Sequence, residues 1–167
     1  MPAREGTKRY AVAATGGTFD TIHRGHRALL DAAFAASEKV IIGLTSDAML
    51  AGKEGRGAKK KGHAVRGYAE RLAGLREYIR RSHPGSAYVI SGLDDDFGPA
   101  VLTGEVEALV ASEETARKAG KLNEMRLSRG LGPVETVVVG MVAAYDGGRI
   151  SSSRIRNGEI DADGNAA

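Results

Sequence analysis

The chain has 167 residues, with 24 Lys and Arg against 21 Asp and Glu, a length that supports one domain rather than two. At 42% hydrophobic residues it can bury a substantial core, but with 5% aromatic residues and no Trp that core must be built from Ala, Val, Leu and Ile. The lack of Cys excludes a disulfide scaffold, a thiolate zinc site, an iron–sulfur cluster and a Cys nucleophile.

Short apolar runs bounded by turn signals recur along the chain, at Tyr10 to Ala14, Val40 to Leu44, Ala87 to Ile90, Ala108 to Ala111 and Thr136 to Ala144. They are near-continuous and often β-branched, as strands covered on both faces are. Helical spacing fills the gaps: Leu29, Leu30, Ala33 and Phe34 from near Gly25, then Leu72, Leu75 and Ile79 from near Tyr68. A third helix is expected over roughly Glu113 to Arg129, with Met125 in its apolar face and Gly130 as its C-cap. Alternating strand and helix predicts an α/β fold, a Rossmann-like parallel sheet with helices on both faces.

Two segments break that order. Residues 52–67 hold five glycines and a basic run, and read as a mobile loop. From Lys53 to Arg81 there are ten Lys or Arg against three Glu, a local balance of +7, so the basic excess of the chain is concentrated there. The tail after Ile150 is polar, with disorder expected at its end. No apolar run reaches the roughly 18 residues of a membrane span, and the opening MPAREGTKRY lacks a signal peptide's apolar stretch. The expected setting is the cytoplasm.

The strongest motif is Thr15-Gly16-Gly17-Thr18-Phe19-Asp20-Thr21-Ile22-His23-Arg24-Gly25-His26, where the first strand gives way to the first helix. Ligands of open parallel sheets bind at the carboxyl ends of the strands. Gly16 and Gly17 allow close backbone approach, Gly25 leaves room between two imidazoles, and a helix N-terminus favours an anion. A zinc site here would have only Asp20 to add to His23 and His26, and no metal site is expected. The glycines do not match a dinucleotide-binding GxGxxG, and the near-match to a Walker A loop at residues 57–62 has His63 where Lys is required. The second motif, Ile150-Ser151-Ser152-Ser153-Arg154-Ile155-Arg156, sets three hydroxyls before two arginines at a helix start, a grouping suited to one anion or to a plain cap.

Together with LTSDAML, YAERL, LDDDFGPA, ASEET and KLNEMRLSRGL, these motifs resemble the nucleotidyltransferase superfamily with HxGH and ISSTxxR-type motifs, and within it the archaeal and eukaryotic type of phosphopantetheine adenylyltransferase. The resemblance runs from about Lys8 to Gly164. It implies a five-stranded parallel sheet in a single domain, and transfer of AMP from ATP to 4′-phosphopantetheine with Mg2+ accompanying the nucleotide. It also implies that Thr18, His23 and His26 act on the phosphates at the point of transfer, within a nucleotide site that includes Gly17, Phe19, Asp20 and Gly25. Ser151, Ser152 and Ser153 would hold the β- and γ-phosphates with Arg154 or Arg156. Lys53, in competition with Lys59, Lys60 and Lys61, would bring a lysine to the reacting phosphates. Ser112, at the end of the fourth strand, is placed by topology to reach the nucleotide.

This chemistry agrees with the inventory. A phosphomonoester is largely dianionic at neutral pH, its second pKa being about 6, so the nucleophile needs no general base. The protein must supply positioning and charge cancellation. No GxSxG elbow is present. The other readings are a superfamily member with a different substrate, such as an FAD synthetase or a cytidylyltransferase, and a non-catalytic nucleotide- or RNA-binding module built on the basic segment. Tyr68 and Tyr78 do not form the interleaved aromatic platform that stacks bases, so neither a nucleic-acid partner nor a membrane is expected.

Overall fold

The first strand, β1 (Tyr10–Gly17), runs through the turn 18–23 into α1 (Arg24–Ala36), which passes directly into β2 (Ser37–Thr45). These elements belong to a computed structural model that describes residues 8–54, 65–95, 97–98 and 103–167. Leu30, Ala33 and Phe34, at helical spacing, make the buried face of α1. Ser37 ends the helix in an extended conformation while its hydroxyl donates to the Ala33 carbonyl at 2.7 Å, so one residue serves as cap and as first strand position. The chain continues through α2 (Asp47–Glu54), α3 (Tyr68–Ser82), β3 (Ala87–Leu93), β4 (Ala108–Ser112), α4 (Glu113–Ala116), α5 (Ala119–Ser128), β5 (Glu135–Val139) and α6 (Ser152–Arg156).

The five strands form one all-parallel sheet in the order β3-β2-β1-β4-β5. On one face α1 and α3 bury Leu30, Phe34, Leu75 and Ile79 against Val40, Ile42 and Val110. On the other, Ala119 and Leu122 of α5 cover Val12, Ile41 and Leu109. The expected Rossmann-like architecture is therefore the observed one. The chain builds outward from β1 to β3, then crosses to β4 on the other side, so the order reverses between β1 and β4. Pairing there is short: β1 and β2 register from Tyr10↔Ser37 to Gly17↔Leu44, but β1 and β4 only at Ala13↔Ala108 and Ala14↔Leu109. Beyond these residues the two strands part and open a cleft at their carboxyl ends, the place the topology favours for a ligand.

Several boundaries differ from the apolar pattern. Strand β1 runs on through Gly16 and Gly17 because it remains in register with Gly43 and Leu44 of β2; a Cβ at Gly16 would lie 3.2 Å from the Gly43 carbonyl oxygen. Strand β5 stops at Val139 rather than Ala144: Ala143 forms an isolated antiparallel bridge with Arg149, and Ala144 packs with Ile150 and Ile160. The expected single helix after β4 is two, α4 and α5, separated at Arg117 and Lys118. Helix α2 was hidden in a segment with little apolar periodicity, and it takes in residues 52–54 of the expected loop. Residues 55–64 of that loop lie outside the described residues.

The tail is folded rather than disordered. Ile160 is 1% exposed, Ile160 and Ala166 bridge antiparallel, and the Asp161 carboxylate accepts from the backbone N–H groups of Asp163 and Asn165. Gly164, at φ 85°, makes the turn; a Cβ there would meet Ile150 Cδ1 at 2.6 Å. One buried isoleucine and a few local hydrogen bonds hold a segment whose composition reads as polar. Ile160→Ala should accordingly cost about 2–5 kcal/mol in urea unfolding, as for other buried aliphatic truncations; a loss below about 0.5 kcal/mol, typical of a surface position, would place the tail outside the core.

Candidate active site

The turn from β1 to α1 is held open by an unusual backbone. Phe19 has φ 48°, the one positive φ among the described non-glycine residues, and a side chain only 1% exposed. Such a conformation costs of order 1–3 kcal/mol and persists where its surroundings over-determine it. Here the Phe19 ring packs against His26 at 4.8 Å between centroids, and the buried Arg71 guanidinium of α3 donates to the Thr18 carbonyl at 3.0 Å and the Thr45 carbonyl at 2.7 Å. Arg71 also takes the Arg66 carbonyl and the Asp47 carboxylate, so one side chain ties the ends of β1 and β2 to α2 and α3. The Thr18 hydroxyl lies 3.4 Å from that of Thr45.

His23 is the N-cap of α1. Its Nδ1 accepts from the backbone N–H of Gly25 at 3.1 Å and of His26 at 3.3 Å. Because Nδ1 is an acceptor and the ring is neutral, the proton sits on Nε2, which makes His23 a fixed donor. Gly25 is required by this arrangement: a Cβ would lie 2.9 Å from His23 Cε1, so the space above it is filled by the protein's own imidazole rather than left for a ligand. The backbone N–H of Arg24 donates to the Ala162 carbonyl at 2.8 Å and that of Arg27 to the His23 carbonyl at 2.9 Å. All four N–H groups at the start of α1 are thus satisfied internally. With those donors occupied, the start of α1 has its dipole and the imidazoles themselves to offer an anion.

The two rings stack at 3.7 Å. Burial, helped by the charges of Arg149 and Arg27, pushes His23 down to about 4, and burial with the field of His23 pushes His26 down to about 3. His26 Nδ1 sits 3.0 Å from the Thr21 carbonyl and 3.4 Å from the His23 backbone N–H.

Helix α6 meets this turn directly. Ser152 Oγ stands 3.5 Å from the Thr21 backbone nitrogen and 3.4 Å from its carbonyl oxygen. Ser151 caps the helix by accepting from the Arg154 backbone N–H at 3.2 Å, and Ser153 Oγ accepts from Arg156 Nη2 at 3.1 Å. The two arginines part company. Arg156 reaches the Asp20 carboxylate, whereas Arg154 turns away to Asp146 and the Arg149 carbonyl. Asp20, 1% exposed, also accepts from the Arg66 backbone and side chain. Burial would raise its pKa, but the Arg66 backbone N–H and the two guanidinium groups outweigh it and hold the carboxyl below its ordinary value.

The cleft between β1 and β4 has an apolar floor, including Ala14, Ile41, Leu93, Phe97 and Leu109, and a polar mouth with Thr18, Thr45, Ser112, Thr115 and Lys118. Ser112 doubles as N-cap of α4, accepting from Thr115 N–H at 3.4 Å. Gly17 and Thr18 line the cleft, as does Leu29, one helical turn after His26; the two histidines themselves are not part of its lining. Lys53 belongs to the backbone of α2, and its side chain is outside the described residues, as are Lys59, Lys60 and Lys61. Sequence reasoning missed Arg66, Arg71, Lys118 and Arg149. Of these Arg71 had a readable signal, a charge standing in the buried stripe with Leu75 and Ile79. Arg149 lies two residues before Ser151, pairs with Glu114 at 2.9 Å and places its charge near both histidines.

A family model for cytidylyltransferase-like proteins matches residues 14–158, from the middle of β1 to just past α6. The chain belongs to the cytidylyltransferase-like family. It is 41% identical over 154 residues to the phosphopantetheine adenylyltransferase of Methanothermobacter thermautotrophicus, covering 92% of this chain and 88% of that protein. It is 42% identical over 154 residues to that of Methanosarcina mazei, covering 90% of this chain and 94% of that protein. Among solved structures it resembles a protein of unknown function from Archaeoglobus fulgidus, with a TM-score of 0.64 and 29% identity over 77% of this chain and 88% of the other. The expected resemblance therefore holds over nearly the whole chain, and the protein is a nucleotidyltransferase.

The depressed histidines set a pH dependence of stability. Their unfolded value is about 6.5, so between there and the folded values of about 4 and 3 the unfolded chain binds more protons. Stability is complete above that window and falls as pH is lowered through it. Thermal unfolding should show Tm declining from about pH 6.5 to pH 4, and His26→Gln should make the decline shallower; an equal slope in the variant would deny the buried neutral histidine its part.

Proposed function

We propose that the protein transfers the AMP group of ATP to 4′-phosphopantetheine, giving dephospho-coenzyme A and pyrophosphate, with the cytoplasm as its setting. The observation that carries this reading is the meeting of two polar motifs far apart in sequence: Ser152 on Thr21 across 131 residues and Arg156 on Asp20 across 136. That contact gathers imidazoles, hydroxyls and a guanidinium around one turn at the mouth of a cleft. The names of the relatives supply the substrates.

In this reading the acceptor's phosphate oxygen attacks the α-phosphorus of ATP. A new P–O bond forms, the bond from the α-phosphorus to the bridging oxygen breaks, and its electrons leave on pyrophosphate. No proton need be removed from a dianionic nucleophile. What the side chains contribute is alignment and charge cancellation. His23 donates through Nε2, His26 and Thr18 act at the α-phosphate, and Ser151, Ser152 and Ser153 with Arg156 hold the outer phosphates. Gly17, Phe19 and Gly25 shape the turn, Ser112 meets the nucleotide at the cleft mouth, and Lys53 comes from α2. Arg154, held by Asp146, assists through the fold of the motif. The apolar floor of the cleft suits the uncharged arm of the acceptor, and its polar mouth the phosphate end.

Among the described residues no three His, Asp or Glu side chains converge as a metal site, and the Asp20 carboxylate is already taken by two arginines. This donor set fits Mg2+ carried on the triphosphate and completed by water, where it would neutralise phosphate charge. Against an RNA-binding module, Tyr68 is half-buried with Arg71 against its ring and Tyr78 bonds Asp31, so neither stands out as a base-stacking platform. No described helix is long and apolar enough to cross a membrane.

Pyrophosphate release from ATP, with 4′-phosphopantetheine, FMN and phosphocholine offered separately, should occur with the first; release with FMN alone would overturn the acceptor. His26→Ala should lower kcat about 100-fold or more, as loss of such a donor does. Near-normal turnover in that variant would remove His26 from the transition state.

A further inference from the structure

Asp20 presents a problem that the reaction itself does not explain. It is a buried carboxylate two residues from Thr18 and three from His23, in the middle of the turn assigned to phosphates. Left alone it would be costly to desolvate and would repel a triphosphate. Instead, Oδ1 accepts from the Arg66 backbone N–H at 3.0 Å and from its Nε at 3.3 Å, while Oδ2 accepts from Arg156 Nη1 at 2.5 Å. The trio carries a net +1. Its carboxylate is 2% exposed, but the Arg66 and Arg156 side chains are 45% and 21% exposed, so the negative charge lies underneath and the positive charge lies outward.

The two arginines come from different parts of the chain, Arg66 from the approach to α3 and Arg156 from α6, and Asp20 bonds both. Arg156 continues to Ser153 Oγ at 3.1 Å, which fixes that hydroxyl as an acceptor from the guanidinium and leaves its own proton to be donated elsewhere.

We propose that Asp20 is a positioning residue that never touches the phosphates, but pins Arg66 and Arg156 as a pair of cations facing the nucleotide's triphosphate. The inference rests on the adenylyl-transfer reading only for the ligand, a nucleoside triphosphate; it needs no particular acceptor.

The sign of one substitution decides it. Asp20→Asn removes a negative charge near the site, so a pure charge effect would tighten ATP binding, whereas loss of positioning weakens it. Binding of MgATP measured by calorimetry, apart from turnover, should weaken at least tenfold in Asp20→Asn, with KM for ATP rising alongside and KM for the acceptor changing less. Arg156→Gln should weaken ATP binding comparably, and adding Asp20→Asn to it should bring little further loss, because one residue acts through the other. Tighter or unchanged binding in Asp20→Asn, or full additivity in the double variant, overturns the proposal. Should Asp20→Asn fail to fold, the more exposed Arg66→Gln carries the test, and ATP binding equal to wild type overturns it. Wild-type protein that binds MgATP but transfers nothing to 4′-phosphopantetheine would sink the proposed reaction and leave this inference standing.

Discussion

Two residue pairs, Ala13 with Ala108 and Ala14 with Leu109, are all that registers β1 against β4, and the shape of the site follows from that brevity. Were the two strands paired to their ends, as β1 and β2 are, the sheet would close over the place where its order reverses. Because they part, Thr18 and Ser112 stand on opposite sides of a gap, with an apolar floor between them. Small residues make this workable: Ala13, Ala14 and Ala108 bring the strands together without bulk, and Gly16 and Gly17 let β1 continue past the split. The cleft is thus a property of sheet topology before it is a property of any catalytic side chain.

Around that gap the protein combines exposed cations, such as Arg66 and Arg149, with one that is wholly buried. Arg71 is fully buried and spends its donors on the Thr18, Thr45 and Arg66 carbonyls and on Asp47. A guanidinium can do this because its five donors fan out in one plane, where a lysine has a single head. The histidines take the opposite course and are kept neutral, so they can serve as directional donors without adding like charge beside Arg149 and Arg27. Fixed polar geometry of this kind needs little reorganisation when charge develops on a reacting phosphate.

The parallel sheet, the two polar motifs that meet at the β1–α1 turn and the family were legible in the sequence because each is written in a short stretch: alternating apolar runs, HxGH after the first, ISSSR after the last. What was not legible depends on pairs distant in the chain. Nothing local marks Asp20 as the partner of Arg156, nor Ala162 as the acceptor for Arg24. Arg154 and Arg156 look equivalent two residues apart, yet a five-residue helix turns one toward Asp146 and the other toward Asp20. The tail misled for a related reason, since a polar stretch with one buried isoleucine is indistinguishable by composition from a frayed end.

That tail has a bearing on the order in which the site can come into being. The first amide of α1 has its acceptor in Ala162, and Arg27 has a carboxylate partner in Asp163. Until residues 159–167 have emerged and closed, one end of α1 lacks its hydrogen bond and the serine helix lacks the packing of Ile160 beside Ile155. The turn that gathers these polar groups is therefore completed by residues that come some 135 positions later in the chain. A nascent or truncated chain could own every motif residue and still have no finished site.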